Sequence, residues 1–346
     1  MREAFGAEFA VPDGYLNTPS IGVPPAHVAD AVVESVQRWR RAADNADDFE
    51  DVVDASRAGF ARLVGVPTEW VAIGTTVAQL VALAAAGVPD GGRVLLARGD
   101  FTSVGYPFAA QARRGITTTE VPLAELPERV AGHDLVAVSV AQSADGALVD
   151  LAALRAAAEA AGVPVLLDAT QAAGWLPLRL DWADWVVAAA YKWLLSPRGA
   201  AWLAVRPRAA ERSVPVAANW YAGEDPWGRS AYGLPMRLAS GARGLAASPV
   251  WLAHVGAAAA LPYLADLDLE EVRRHDVGLA NRLRAGLGLP PGDSAIVAVE
   301  ADRAAERLAA AGVRASVRNG RARVGFHLYN TTDDVDRALE ALARPS

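Results

Sequence analysis

The chain has 346 residues, 52% hydrophobic and 21% charged, with a formal net charge of −7. That composition supports a large core and excludes disorder as the main state, and the acidic balance argues against a nucleic-acid partner. No cysteine is present, which excludes disulfides, cysteine-bound zinc, iron–sulfur clusters and a thiol nucleophile.

At about 100–200 residues per domain the length allows about two domains. Residues 1–10 carry acids and no long apolar run, so no signal peptide is expected. Helical periodicity covers 27–43 and 49–64. Between them Asp44, Asp47 and Asp48 read as a solvated acidic turn, and no metal site is expected. Val71 to Thr76 is a short strand and turn feeding an apolar helix at about 77–86. The apolar stretch Val77 to Val88 includes Gln79 and Gly87 and is too short to span a bilayer, so a cytoplasmic protein without a membrane partner is expected. Apolar runs with the length of buried strands follow at 93–97, 116–121, 135–140, 164–168, 185–189 and 201–205. A helix at 150–161 ends at Gly162. Buried strands alternating with helices predict an α/β fold with a mostly parallel central sheet flanked by helices. After Pro215 a Trp-, Gly- and Pro-rich loop spans 219–235. Helices at 249–264 and 269–286 then precede a smaller α/β unit: strand 294–299, helix 302–311, strands 313–318 and 322–328, helix 332–343. The expected organisation is an N-terminal arm (1–25), a large domain (26–250) and a small C-terminal domain (251–346), with the 249–264 helix between the last two.

Of the 33 lysines and arginines only one, Lys192, is a lysine. Arginine cannot lose its proton near neutrality, whereas a buried lysine can and then acts as an amine nucleophile. Lys192 lies in the apolar run Val186 to Leu195, where an ammonium is costly. Ligands in open α/β sheets sit at the carboxyl ends of strands, and three further candidates occupy such positions. Gly74-Thr75-Thr76 offers a glycine turn, free N–H groups and two hydroxyls at a helix start, suited to a phosphate. Asp168 closes an apolar strand, with Gln171 three residues on. Arg323 lies in a strand whose alternation puts Arg321, Arg323, Gly325 and His327 on one face, and suits a carboxylate clamp. A threonine N-cap, a structural ion pair and an edge-strand arginine are the ordinary explanations of these three. Together, however, a phosphate cradle, a carboxylate for a ring nitrogen, a Schiff-base lysine and a carboxylate-binding arginine meet the requirements of pyridoxal 5'-phosphate (PLP).

The chain resembles the class V aminotransferase superfamily of PLP enzymes of fold type I, which includes cysteine desulfurases, kynureninases and isopenicillin N epimerases. Tyr15-Leu16-Asn17-Thr18-Pro19-Ser20 resembles the family's opening segment, implying that Asn17 lies near substrate. Gly74-Thr75-Thr76 resembles its phosphate turn. Asp168-Ala169-Thr170-Gln171 resembles D-x-x-Q, in which Asp meets the pyridinium and Gln the phenolic oxygen. Tyr191-Lys192-Trp193-Leu194 resembles the kynureninase-type Y-K-[YW]-L segment, implying Lys192 as Schiff-base lysine and Tyr191 as a phosphate ligand. Phe101, in Asp100-Phe101-Thr102-Ser103, falls where the family stacks an aromatic ring on the cofactor. Asn219-Trp220-Tyr221 resembles a loop whose Trp lies near the phosphate of the other subunit. Ser248, in the stretch Arg243 to Pro249, falls where a hydroxyl crosses the dimer interface. Arg323 to Thr331 resembles the strand and turn whose arginine holds the substrate carboxylate. His327, on the same face as Arg323, is a candidate for contact with that substrate, with a structural role as its ordinary explanation. The resemblance implies a homodimer with active sites shared between subunits, acting on a small amino acid through removal of the Cα proton by Lys192. With no thiol, a desulfurase that carries a persulfide on its own cysteine is excluded. A lyase or an aminotransferase is the expected activity, with an amino-acid epimerase or racemase, or a PLP-fold binding protein without catalysis, as alternatives.

Overall fold

The computed structural model describes residues 1–343. Seven strands form the central sheet: β3 (Val71–Gly74), β4 (Arg93–Ala97), β5 (Thr117–Val121), β6 (Leu135–Ser139), β7 (Val165–Asp168), β8 (Trp185–Ala189) and β9 (Ala201–Val205), in the order β3-β9-β8-β7-β6-β4-β5. β9 alone runs against the other six. The inner strands β6 to β9 are buried along their whole length, which is why they read as unbroken apolar runs. β5 closes one edge, and its exposed Thr117, Thr118, Thr119 and Glu120 suit a solvated edge.

The helices are α1 (Ala26–Trp39), α2 (Glu50–Val64), α3 (Val77–Ala86), α4 (Thr102–Ala109), α5 (Leu151–Ala161), α6 (Pro207–Ala210), α7 (Trp251–Asp266), α8 (Leu269–Gly286), α9 (Ala304–Ala310) and α10 (Thr332–Ala343). α5 begins where the Asp150 carboxylate accepts from the Ala153 N–H and stops at left-handed Gly162, φ 66°, a glycine C-cap. α1 ends four residues before the expected limit, because the chain turns through Ala42 at φ 50°. α4 was not signalled by the sequence, since its Gly105 and Pro107 are poor helix formers. An unexpected hairpin, β1 (Arg2–Ala4) and β2 (Ala7–Phe9), turns through Phe5 and Gly6, both at positive φ, the geometry of a two-residue type I′ turn.

A second, antiparallel sheet has the order β10-β12-β11, from β10 (Ile296–Val299), β11 (Ser316–Arg318) and β12 (Arg321–Gly325). Its apolar cluster draws Leu279 and Leu283 from α8, Leu308 from α9 and Val335 from α10. The N-terminal arm is stitched to it: Leu16 donates to the Arg314 carbonyl at 3.0 Å, Gly325 donates to the Leu16 carbonyl at 2.9 Å, and Leu16 joins the cluster. α7 packs on α1 and α2. β12 is shorter than expected because the chain reverses at 327–330, where the Asn330 N–H reaches the His327 carbonyl at 2.7 Å. No helix among the described residues is long and apolar enough to cross a membrane.

Four tryptophans, Trp175, Trp185, Trp193 and Trp202, are fully buried. Trp202 on β9 stacks on Phe60 of α2 with ring centroids 5.5 Å apart, and its Nε1 has no hydrogen-bond partner among the described residues, so packing is what truncation removes. Trp202→Ala is expected to cost about 3–5 kcal/mol, measured as a lower urea midpoint at unchanged m-value.

Candidate active site

The carboxyl ends of β3, β4, β6, β7 and β8 open on one cavity of about 350 Å³. Thr75 and Thr76 line it after β3, Phe101 after β4, Ser139 and Ser143 after β6, Asp168, Thr170 and Gln171 after β7, and Tyr191 and Lys192 after β8. Residues up to 123 positions apart in sequence, Thr75 to Arg198, therefore share one hollow.

Lys192 is 6% exposed. Its Nζ lies 5.3 Å from the centre of the Phe101 ring and 5.8 Å from that of Tyr191. Burial lowers its amine from the usual 10.5 to about 8; Asp168 favours the ammonium, whereas Arg323, Arg318 and Arg198 disfavour it. The turn that carries it is tightly held. Gly22 donates to the Tyr191 carbonyl at 2.9 Å, and a Cβ on Gly22 would sit 2.0 Å from the Lys192 carbonyl oxygen, so only glycine permits that approach.

Asp168, at the end of β7, is 5% exposed, and burial pushes its carboxyl up to about 6 despite the hydrogen bonds from Thr170. The Thr170 N–H reaches its Oδ1 at 2.8 Å. Asp100 adds a like charge and fastens two strand ends together. It accepts from Ser139 N–H at 2.7 Å, Ser139 Oγ at 2.5 Å and Phe101 N–H at 2.6 Å, which sets the loop that presents Phe101.

At the helix end of the cavity, Thr76 caps α3 by accepting from Gln79 N–H at 3.3 Å, while Thr75 donates from both N and Oγ1 to Gln79 Oε1 at 3.0 and 2.8 Å. Gly74 is required there, since a Cβ would meet the Leu80 side chain at 2.7 Å. The Thr76 hydroxyl, the first N–H groups and the positive end of a ten-residue helix form a donor set fit for a phosphate, whereas both Thr75 donors are held by Gln79.

A hydrogen-bond chain orients the opposite wall. Trp193 Nε1 donates to Gln171 Oε1 at 2.8 Å, which fixes the carboxamide. Gln171 Nε2 then serves the Pro19 carbonyl at 3.0 Å and Ser143 Oγ at 3.1 Å. Both amide hydrogens are used, so the donor that the resemblance assigns to Gln171 is engaged within the protein. Arg323 Nη1 also donates to Ser143 Oγ, at 3.0 Å. With two donors on its oxygen, Ser143 has its own proton free for the cavity that it lines. Arg323 is 1% exposed, and burial lowers its guanidinium to about 10. Its remaining bonds go to the Ser143 carbonyl, to Ser20 Oγ at 2.8 Å and to Ser316 Oγ at 3.1 Å.

Arg323 does not itself line the cavity but meets it through Ser143, and the remaining expected site residues lie elsewhere. Asn17 pairs with Gly325 beside Arg323 and has a buried Oδ1 without a partner among the described residues. His327 does not face the cavity: its ring is fully buried, with Nδ1 3.0 Å from Asp276 Oδ2 and Nε2 3.0 Å from the Trp193 carbonyl. The alternation argument fails for it because the chain turns after Gly325. Trp220 packs against Trp227, ring centroids 4.9 Å apart, and lines a separate surface hollow. Ser248 is exposed. Neither lines the cavity of its own chain. Sequence reasoning missed Asp100, Ser139, Ser143 and Arg198, the last lining the cavity with its guanidinium 5.1 Å from the Tyr191 ring centre.

A mostly parallel sheet of this order, with its cavity at the strand ends, has the PLP fold type I architecture. It superimposes with a TM-score of 0.85, at 19% identity and over 96% of this chain and 97% of the other, on a mutant of C-DES with glycine covalently linked to its PLP cofactor. The chain belongs to the class-V aminotransferase family, which it matches over residues 24–314. It is 25% identical over 337 residues to YcbU, an uncharacterised aminotransferase of Bacillus subtilis, covering 91% of this chain and 87% of that protein. It is 30% identical over 296 residues to the kynureninase of Deinococcus radiodurans, covering 80% of this chain and 72% of that protein.

Because Lys192 is the single lysine, its modification by a small amine reagent is read unambiguously by peptide mass spectrometry. The pH midpoint of that modification is expected at about 8 rather than 10.5. Asp168 favours the ammonium form, so Asp168→Asn is expected to move the midpoint lower still.

Proposed function

We propose that this protein is a PLP-dependent enzyme that uses Lys192 as its reactive amine, removes the Cα proton of a small amino acid, and completes either elimination or amino transfer. The observation that carries this reading is a buried amine with its ammonium form disfavoured, sharing a cavity with a buried carboxylate and a glycine–threonine helix start. The donor set fits the cofactor. Thr76 and the first N–H groups of α3 would hold its phosphate, joined by Thr75 when Gln79 releases its N–H and hydroxyl; Asp168 would face its ring nitrogen, and Phe101 would cover the ring. When bound, PLP supplies an aldehyde that exchanges amines and a ring that accepts electrons.

The chain's own residues supply the rest. Lys192 Nζ, free of its proton in a fraction that is substantial by pH 8, takes the Cα proton as general base. Asp168, mostly ionised above about pH 6, holds a proton on the nitrogen opposite. Arg323 is the carboxylate site; its guanidinium is bonded to neutral serine hydroxyls and a carbonyl, so an incoming carboxylate displaces no rival charge. A cavity of about 350 Å³ is near the lower end of ligand pockets, which span ~300–1,000 Å³. With a cofactor seated, it favours a small amino acid.

The same reading makes the protein a homodimer. Trp220 and Ser248 lie off their own cavity, and the strongly exposed Tyr232, Leu234 and Met236 near Trp220 support a second copy as their cover. Sedimentation is expected to give twice the mass of one chain, and a monomer at micromolar concentration would remove this part of the reading.

Purified protein mixed with PLP is expected to develop a near-visible absorbance band that Lys192→Ala lacks, and borohydride should fix the cofactor on Lys192. Asp168→Ala is expected to lower turnover by at least 100-fold, on the order of the effect of losing a key electrostatic group. An amino-acid panel followed by product mass spectrometry separates the outcomes. A keto acid with aminated cofactor indicates amino transfer, and a keto acid with ammonia indicates elimination. A protein that takes up no PLP would end the reading.

A further inference from the structure

The turn at Lys192 is held by a buried pair that the proposed chemistry leaves unused. His327 and Asp276 are both fully buried, with Nδ1 of the ring 3.0 Å from Asp276 Oδ2 and Nε2 3.0 Å from the main-chain carbonyl of Trp193. A carbonyl only accepts, so Nε2 carries a hydrogen. The Nδ1–Oδ2 contact needs a second proton, since otherwise a ring lone pair would face a carboxylate lone pair in a buried site. Burial pushes the Asp276 carboxyl up, and with that proton shared along the Nδ1–Oδ2 contact the ring presents Nε2–H to the Trp193 carbonyl. Among the described residues Asp276 Oδ1 has no partner, so hydrogen bonding to this carboxylate comes from His327 alone. The other titratable neighbours are His275 on the same helix and Tyr329, whose ring centre is 6.1 Å from that of His327.

The pair reaches the reactive residue through one peptide. Trp193 directly follows Lys192 and is pinned on three sides. Its indole N–H is bound to Gln171, its ring centre lies 5.1 Å from that of His327, and a Cβ on Gly174 would come within 2.6 Å of its carbonyl oxygen. Asp276 comes from α8 and His327 from the turn after β12. The pair thus ties the small sheet, which carries Arg323, to the turn that aims the amine.

The geometry points to His327 and Asp276 as positioning residues for Lys192: the ring, held at Nδ1 by Asp276, donates its Nε2–H to the Trp193 carbonyl and so fixes the direction of the amine into the cavity. This inference rests on Lys192 being the reactive amine. Asp276→Leu removes the group that holds Nδ1 and so the orientation of the ring, and His327→Leu removes the Nε2–H donor itself. In Asp276→Leu and His327→Leu, checked for folding by circular dichroism, the PLP absorbance band is expected to form on the order of tenfold more slowly. In the cofactor-free variants, the pH midpoint of Lys192 modification is expected to move up from about 8 toward 10.5, as a misdirected amine regains solvent. In the unaltered protein, nitrogen-15 spectra should show a hydrogen-bonded proton on Nε2 of His327. Folded variants with unchanged rate and midpoint, or a His327 ring with no proton on Nε2, would overturn the assignment. If the variants do not fold, the ring spectrum decides. If the unaltered protein binds no PLP, the midpoint and the spectrum still test the pair.

Discussion

Everything in this molecule is arranged around a primary amine placed where its charge is poorly solvated. Lowering the amine from 10.5 to about 8 corresponds to about 3 kcal/mol against the ammonium form, at about 1.4 kcal/mol per pH unit. A single surface loop cannot impose that penalty. It requires the ends of several buried strands, which remove water from all sides, and a chain reversal so tight that Gly22 must lie against the Lys192 carbonyl. The parallel sheet provides both. It places apolar strands side by side, and their carboxyl ends, where the backbone leaves the ladder, supply the polar groups.

Those polar groups are balanced rather than simply abundant. Asp168 and Arg323 shift the amine in opposite directions, and Asp168 is itself raised by burial and by Asp100. Arginine at position 192 would remain charged at every relevant pH, which explains how a chain otherwise supplied with arginine retains lysine at this point. Arg323 is treated differently. Its partners are hydroxyls and a carbonyl, so its positive charge stays uncompensated within the protein.

The sheet was legible because its strands are buried on both faces and read as apolar runs bounded by turns. Lys192, Asp168 and the Gly74-Thr75-Thr76 turn were legible because each breaks the apolar pattern at a strand end. The hydrogen-bond chain from Trp193 through Gln171 and Ser143 to Arg323 was not, since it joins segments up to 180 residues apart and a lone serine carries no pattern. Asp100 was quoted only as the neighbour of Phe101, although its carboxylate fastens the ends of two strands. His327 illustrates the limit of alternation. Period two holds only while the strand continues, and here the strand stops at Gly325. Trp220 and Ser248 were placed by resemblance, and neither lines the cavity of its own chain.

The orientation of His327 bears on the choice among reactions. Epimerisation by a two-base route needs a proton acceptor on one face of Cα and a proton donor on the other. Lys192 supplies one. Of the other cavity-lining residues that titrate, Asp168 is committed to the ring nitrogen in the proposed reading, and Arg198 does not exchange its proton near neutrality, leaving Tyr191 alone for the second face. His327 would have been the natural second base, but both of its nitrogens are engaged by Asp276 and Trp193. A single exchangeable amine suits reactions in which the same group removes the Cα proton and then returns it on the same face or passes it to a leaving group. Elimination and amino transfer meet that condition, and a two-base epimerase does so only if Tyr191 performs the second transfer.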